Sequence, residues 1–383
     1  MSTVVIVGGS LTGMAAAARL AKVGHHVVLV ERGDTLGGRA AAHPPDSITL
    51  PAAWRDLFKK SGRPLEAELA RQGLALVPAA PAVHTFADGS TLALPTDRGE
   101  QWATLTTAYG REVAARWRDL LDELDDTWQT LRPLGLEADV DPRRIPRATL
   151  KALRPRISIE HLARRIGHPH LAELIRDVAG LLGSDPRRTP GWCAARLSVE
   201  RTFGRWLVTD TVGAGQPASR LVDLLAARLA TRGVDLHLAT TATRVTSGLV
   251  VTDRSSWDAD QVVLALDPWT HDALVDHADP VIARAARRLH PVRHGSGGPQ
   301  WHGWRTLSDL PPLETGMPGV VAASACSPGG PDPWARLLTG ALVAYQVHAR
   351  LTGEDIRPTN KAGRQARTVI STSTKRSEEL DPE

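Results

Sequence analysis

The chain has 383 residues, 42% of them hydrophobic, and a formal net charge of +4. This length exceeds what one hydrophobic core usually holds, so the sequence predicts two domains. The arginines are scattered rather than gathered in one stripe, which argues against nucleic acid as a partner. The 2 cysteines, Cys193 and Cys326, lie far apart, which excludes a zinc cluster and a disulfide framework.

The first residues bear on localisation. Met1 leads directly into a strand pattern, without a basic leader, a signal core or a run long enough to span a bilayer. We therefore expect a cytoplasmic protein. Peripheral contact with a membrane stays open, although no basic amphipathic helix supports it.

The opening of the chain carries a strand, a glycine turn, a helix and a second strand. Thr3–Val7 predicts a buried parallel strand, and Met14–Lys22 predicts a helix that stops at Gly24. The second strand, Val27–Val30, ends in Glu31. The predicted turn between the first strand and the helix consists of Gly8, Gly9, Ser10, Leu11, Thr12 and Gly13.

This turn predicts a site for a pyrophosphate. Backbone N–H groups and the positive end of the helix dipole favour an anion at the start of the helix. Gly8 makes the turn, Gly13 lets the helix approach the strand, and Ser10 takes the place of the middle glycine of the fingerprint. Glu31 has the spacing of a carboxylate that accepts hydrogen bonds from ribose hydroxyls, which favours an adenosine with a free 2′-hydroxyl.

The segment after Glu31, with Gly37, Gly38 and Arg39, resembles the extension that marks the FAD-dependent phytoene desaturase and amine oxidase superfamily. Weaker matches follow in the order of that superfamily. Phe86–Gly89 resembles its hairpin. The stretch from residue 262 to residue 268 resembles the strand by which the chain returns to the FAD domain.

The closing segment shows a further resemblance and a departure. Gly319–Ala323 predicts a strand and Leu337–Arg350 a helix, with Gly329 in the turn between them. In the superfamily this strand ends in Gly-Asp, whose acid meets the ribityl and pyrophosphate part of FAD, and the glycine turn passes the isoalloxazine ring. Here the pair is Ala323 and Ser324, so the motif is degenerate.

The resemblance implies an α/β fold, in which a Rossmann-like FAD/NAD(P)-binding domain carries an inserted α+β substrate domain. The short chain implies that the substrate domain is reduced. The expected division is an FAD-binding domain of residues 1–85, 215–270 and 310–352, a substrate domain of residues 86–214 and 271–309, and a disordered tail of residues 353–383.

FAD is the cofactor that the resemblance implies. Arg39 would bring its charge near the reduced flavin ring. A backbone group of Ala242 would contact the adenine, with a plain buried strand residue as the alternative. The expected cofactor-binding residues are Gly8, Gly9, Ser10, Leu11, Thr12, Gly13, Glu31, Arg32, Gly38, Arg39, Ala242, Ala323, Ser324 and Gly329.

Two other regions have a distinctive composition. Arg111–Leu131 has apolar residues at helical spacing and predicts an amphipathic helix against the core. His290, His294 and His302 lie in a stretch rich in glycine and proline, which favours a loop over the cleft, and no metal site is expected there.

Two functions stay open. The first is an FAD-dependent oxidoreductase, of dehydrogenase, desaturase or oxidase type, acting on an apolar small molecule in a cleft between the domains, with no catalytic base identified. The second is a non-redox binding or escort protein that keeps the fold with weak or lost FAD binding. The pair Ala323-Ser324 favours the second, whereas Gly8, Gly13 and Glu31 favour the first.

Overall fold

The structure is a computed structural model that describes residues 1–275, 279–290 and 306–358. It divides into two compact units, residues 1–344 and a second unit that starts at Tyr345. The described part of the second unit is the end of the last helix and a short segment to Pro358. In that unit Arg357 pairs with Asp355 at 2.8 Å.

Helices and strands follow one another along the described chain. The first part consists of β1 (Thr3–Val7), α1 (Leu11–Lys22), β2 (His26–Val30), α2 (Arg39–Ala42), β3 (Ile48–Thr49), α3 (Ala52–Ser61), α4 (Leu65–Arg71), β4 (Leu74–Pro78), β5 (Ala82–Thr85) and β6 (Thr91–Leu94). The middle part consists of α5 (Arg98–Tyr109), α6 (Arg111–Leu131), α7 (Arg147–Leu153), α8 (Ile159–Ile166), α9 (Pro169–Leu181), α10 (Ala195–Phe203), β7 (Arg205–Asp210) and β8 (Gly215–Gln216). The last part consists of α11 (Ser219–Thr231), β9 (Asp235–His237), β10 (Ala242–Thr246), β11 (Leu249–Thr252), β12 (Ser256–Asp258), β13 (Gln261–Leu264), α12 (Pro268–Leu274), α13 (Pro280–Leu289), α14 (Thr306–Asp309), β14 (Val320–Ala322) and α15 (Pro333–Thr352).

A parallel sheet forms the centre of the first unit. Its five strands have the order β14-β13-β1-β2-β9. Val5 on β1 lies opposite Val262 on β13 and Val28 on β2, and all three are fully buried. Strands covered on both faces read as runs of β-branched residues, which is why this part of the sequence lacks polar alternation. The α/β, Rossmann-like fold predicted from the sequence is confirmed.

Smaller antiparallel sheets accompany the central one. They are β10-β11-β12, β3-β7-β4 with β8 paired to β7, and the hairpin β5-β6. The predicted hairpin is confirmed, because the residues Phe86–Gly89 connect β5 to β6. A separate core of α5, α6, α8 and α9 buries Trp117 and Leu121 of α6. Helix α6 has the bounds that the apolar spacing predicts.

Two helices begin earlier than the sequence predicts. Helix α1 begins at Leu11, so the glycine turn is shorter than expected and Gly13 is a helical residue. Helix α15 begins at Pro333 rather than Leu337. Proline suits a first helical position because its φ is already fixed near the helical value and a first-turn N–H needs no intrahelical partner.

The division into FAD and substrate domains stays a prediction. His294, His302 and the end of the expected tail, from residue 359, lie outside the described residues. No helix in the described ranges is both long and apolar enough to cross a bilayer.

Candidate functional site

A cavity of about 820 Å³ opens at the carboxyl edge of the parallel sheet. Four of its lining residues follow four strands directly or within three residues: Gly8 after β1, Glu31 after β2, Asp267 after β13 and Ser324 after β14. Ligands of open α/β sheets bind at this edge, because the loops there carry side chains and helix N-termini. We call this space the cofactor cavity.

The residues predicted from the sequence divide into two groups. Those that line the cofactor cavity are Gly8, Ser10, Glu31, Arg32, Gly38, Arg39, Ala242 and Ser324. Those that are not part of its lining are Gly9, Leu11, Thr12, Gly13, Ala323 and Gly329. Leu11 and Thr12, the first two residues of α1, are fully buried, and Leu11 lines a different cavity.

The start of α1 forms a narrow cradle. Gly8 has a φ of +108°, and a Cβ atom there would lie 2.8 Å from the carbonyl oxygen of Ala265. A Cβ atom on Gly13 would collide with the carbonyl oxygen of Gly8. Ser10 precedes the helix, and its hydroxyl donates to Ala265 O at 3.2 Å. The space between β1 and α1 therefore has no room for a side chain at these two glycines. The first-turn N–H groups of α1 are available to an anion.

Glu31 is held by backbone donors. Gly9 N–H donates to Glu31 Oε2 at 2.6 Å, and Gly33 N–H donates to Oε1 at 2.7 Å. Each carboxylate oxygen keeps further acceptor capacity, because an ionised carboxylate has about four acceptor sites. Glu31 can therefore accept ribose hydroxyls without moving.

The segment after Glu31 lies against the cradle. Gly37 N–H donates to Gly9 O at 2.7 Å, and a Cβ atom on Gly37 would collide with Val222. Arg39 then starts α2, and its guanidinium lies 3.3 Å from the carboxylate of Asp267. The glycine pair thus places one cation in the wall of the cofactor cavity.

The closing strand ends differently from the Gly-Asp of the superfamily. Ser324 N–H donates to the hydroxyl of Ser327, and Ser324 Oγ accepts the N–H of Cys326, both at 3.0 Å. The serine that replaces the acid is therefore engaged within its own turn. Sequence reasoning missed two other charged residues of this end, Asp267 and Arg336, which line the cavity here.

The glycine turn after Ser324 packs away from the cofactor cavity. A Cβ atom on Gly329 would lie 2.8 Å from the carbonyl oxygen of Gly135. Gly329 lines a second, smaller cavity of about 80 Å³, whose wall includes Trp128, Trp192 and Trp334. We call this space the apolar cavity.

The described residues contain neither a reactive thiol nor a metal site. Burial raises the pKa of both Cys193 and Cys326, which keeps these thiols protonated. Among the described residues, no group of three or more His, Cys, Asp or Glu side chains is arranged to hold a metal ion. Burial also lowers the pKa of His271, on α12 beside the cofactor cavity, to about 4.

The parallel sheet, the glycine cradle and the fixed acid define a dinucleotide-binding protein. The family model for flavin containing amine oxidoreductases matches residues 11–294, which is more than half of the chain. The chain therefore belongs to this family, and its cofactor is FAD. Its residues fit such a dinucleotide. The cradle at Gly8 and Gly13 is narrow, the Glu31 carboxylate has free acceptor sites, and the buried guanidinium of Arg336 supplies a positive charge.

Two curated relatives are named as a desaturase and a dehydrogenase. The chain is 32% identical over 224 residues to the hydroxyneurosporene desaturase of Cereibacter sphaeroides, covering 54% of this chain and 44% of that protein. It is 31% identical over 186 residues to the phytoene dehydrogenase of Streptomyces griseus, covering 46% and 36%. The matched region thus spans less than half the length of these relatives.

Solved structures with a similar fold include two amine oxidases. A putrescine oxidase with three substitutions has a TM-score of 0.50 and 18% identity, covering 75% of this chain and 63% of that one. Cyclohexylamine oxidase from Brevibacterium oxydans IH-35A has a TM-score of 0.50 and 19% identity, with the same coverage. At these identities the likeness shows the fold.

Proposed function

We propose that the chain is an FAD-dependent oxidoreductase, of dehydrogenase, desaturase or oxidase type, that acts on an apolar small molecule. The observation that carries the substrate class is the apolar cavity beside the cofactor cavity. The two cavities share lining from Leu182, Arg196, Pro331 and Asp332. A substrate in the apolar cavity therefore lies next to the space for FAD.

The walls of the apolar cavity suit a hydrocarbon group. Besides its three tryptophans they include Leu131, Leu134 and Leu136. Burying such surface against an apolar ligand is favourable at roughly 25 cal/mol per Å². The charged residues of this wall, Arg196 and Asp332, pair with each other at 2.5 Å, so neither needs a charged substrate to balance it.

The chain's own residues bind and orient. Bound FAD would supply the redox chemistry, accepting or delivering a hydride. The cradle at Gly8 and Gly13 holds the pyrophosphate, Glu31 holds the ribose, and Arg39 brings a positive charge to the same cavity. The tryptophan wall excludes water from the substrate side. The apolar cavity offers no free acid or base in its described lining, so we assign no general base.

Anaerobic reduction of the FAD-loaded protein tests this proposal. Phytoene in detergent, cyclohexylamine and putrescine are mixed with it in turn, and bleaching of the flavin band near roughly 450 nm is followed. We expect reduction by a molecule that can place an apolar group in the apolar cavity. Trp128→Leu should weaken the binding of that substrate by about tenfold, because it removes buried apolar contact. Trp102→Leu, outside the apolar cavity, is the control. Reduction by putrescine alone contradicts the proposed substrate class.

A second candidate is a non-redox binding protein with the same fold. The closed turn of Ser324 favours it, because the superfamily acid that would meet FAD is missing there. In that case the loaded protein binds apolar molecules without bleaching of its flavin. Equilibrium binding of the same three molecules, measured alongside the reduction assay, separates the two candidates.

A further inference from the structure

Arg336 is a buried cation in an unfavourable place. It is the fourth residue of α15, it is 6% exposed, and its side chain lines the cofactor cavity. The first turn of this helix contains no acidic residue. A helix N-terminus already carries partial positive charge, so a cation there is repelled rather than stabilised.

The other buried arginines show what the chain normally provides for such a group. Three arginines are buried in the described ranges: Arg19, Arg228 and Arg336. Arg228 donates to the carboxylate of Glu68 at 2.8 Å, and Arg19 donates to that of Asp56 at 2.5 Å. Arg336 has no such acid: in the part of the chain that the structure describes no carboxylate pairs with it, and its Nε has no hydrogen-bond partner.

The acids near Arg336 are committed elsewhere. Asp332, one turn before it, pairs with Arg196 at 2.5 Å. Asp267 accepts from Arg39, with the atoms 3.3 Å apart. The charged groups that act on Arg336 are Arg39, which repels it, and Asp267, which attracts it. Asp267 thus attracts two guanidinium groups but pairs with only one of them, Arg39, which leaves one positive charge in excess at this end of the cofactor cavity.

The guanidinium stays charged under ordinary conditions. Burial, with repulsion from Arg39, lowers the pKa of Arg336 to about 10, which is still well above neutral pH. A charge that is removed from water without a hydrogen-bonded partner destabilises the folded chain. An anion in the cofactor cavity would supply that partner.

We propose that Arg336 is an anion-binding residue for the cofactor, and that with Arg39 it holds anionic oxygen atoms of bound FAD. Two parts of the nucleotide carry this chemistry: the pyrophosphate, and the isoalloxazine ring once it is reduced. The inference rests on FAD binding in this cavity, as the proposed function does. It adds a residue outside the glycine motifs to the binding set.

The proposal makes the free protein and the bound protein respond in opposite directions. Arg336→Met removes an unpaired buried charge, so the FAD-free protein should be as stable as the wild type or more stable. The same change should weaken FAD, because the anion loses its partner. A residue with a merely structural role would lose stability in both states.

The experiment compares Arg336→Met and Arg336→Lys with a matched control. The control is Arg220→Met, an exposed arginine on α11 that pairs with Asp223 at 3.4 Å and is not part of the cavity lining. Dissociation constants for FAD and for ADP are measured by calorimetry on the FAD-free full chain, with thermal melts of the same samples. We expect Arg336→Met to raise the dissociation constant for FAD by about 10- to 100-fold, the effect of losing a charged hydrogen bond. Arg336→Lys should lie in between.

The ADP arm identifies the anionic group. If the affinity for ADP falls as much as that for FAD, Arg336 binds the pyrophosphate. If ADP and oxidised FAD bind as before and the reduction potential of bound FAD falls, Arg336 binds the reduced ring. A tenfold loss for reduced over oxidised flavin corresponds to about 30 mV for a two-electron couple.

Other outcomes overturn the inference. It is wrong if both ligands and the potential in Arg336→Met match those of the Arg220→Met control. It is also wrong if Arg336→Met lowers the melting temperature of the FAD-free protein, because the arginine then stabilises the fold itself. Failure of the proposed function looks different: wild type binds FAD and ADP, but no apolar molecule reduces the flavin.

Discussion

The two ends of the cofactor cavity are built in different ways. The opening end, with Gly8, Gly13 and Glu31, comes from the first strand, helix and strand of the chain, and its carboxylate already accepts two backbone N–H groups. The closing end collects Asp267 and Arg336 from separate segments, and its positive charge exceeds its negative charge. A short motif thus preforms one end of the nucleotide site, while the other end depends on tertiary assembly and on the ligand.

The largest effect is expected from a substitution that disrupts the glycine cradle at the opening end of the cofactor cavity. Gly13→Ala adds a methyl group that collides with the carbonyl oxygen of Gly8. We expect loss of FAD retention and about 3 kcal/mol of destabilisation, the upper range for overpacking. Gly180→Ala adds the same atom to α9, where nothing lies within 4 Å, and should leave both properties unchanged. FAD absorbance after desalting and urea denaturation measure the two. Equal behaviour of the two variants would show that the cradle is not tight.

The next largest effect is a loss of folding stability at acidic pH, which involves His271. His271 lies under the cavity wall on α12, and its folded pKa of about 4 is below the unfolded value of 6.5 because of burial. The folded state prefers the neutral ring, so this contribution is complete above pH 6.5 and is lost as pH falls towards 4. The loss should reach about 2 to 3 kcal/mol.

Urea denaturation between pH 4 and pH 7 checks this sign. His271→Leu should flatten the dependence, whereas His161→Leu, at an exposed position on α8, should keep it. A wild-type protein that is equally stable at both ends of this range would contradict the role of His271.

A smaller effect tests the charge of the opening end. Glu31→Gln replaces the acceptor of two backbone N–H groups by a neutral amide. FAD affinity should fall by about tenfold, because the neutral amide is a weaker acceptor for the ribose hydroxyls. A hydrogen bond to a charged group contributes about 1.5–3 kcal/mol. Glu137→Gln, an exposed acid paired with Arg132, is the control for the fluorescence titration. An unchanged affinity would remove Glu31 from the ribose site.

The smallest effect has the opposite sign and tests the closing end. Asp267→Asn makes the same chemical change, but there it frees Arg39 from its carboxylate and removes the acid that attracts Arg336. FAD and ADP should bind about threefold more tightly, a size in keeping with a partly exposed ion pair. Weaker binding in the same titration would mean that Asp267 itself contacts the nucleotide.

The difference between the ends also explains what the sequence reveals. The opening end is local: Gly8, Gly13 and Glu31 are predicted because one strand, turn and helix fix their geometry. The exact start of α1 is missed because Leu11 and Thr12 are as compatible with a helix as with a turn. The closing end is not local. Asp267 meets Arg39 across more than two hundred residues, and no spacing rule connects them.

Arg336 was missed for a related reason. In the sequence it looks like an ordinary polar residue just before the closing helix, because the predicted helix starts at Leu337. Only the early start at Pro333 and the packing of α15 bury its side chain in the cavity wall. The burial of a cation without a partner is a tertiary property, so it has no signature in residue type or period.

The most direct measurement is an absorption spectrum of the protein purified without added flavin, and again after FAD is added and the excess removed. The account predicts bands near roughly 370 and 450 nm, as expected of oxidised flavin, with about one FAD retained per chain and none in Gly13→Ala. A folded wild-type protein that is colourless and fails to retain added FAD would contradict the assignment of the cofactor cavity.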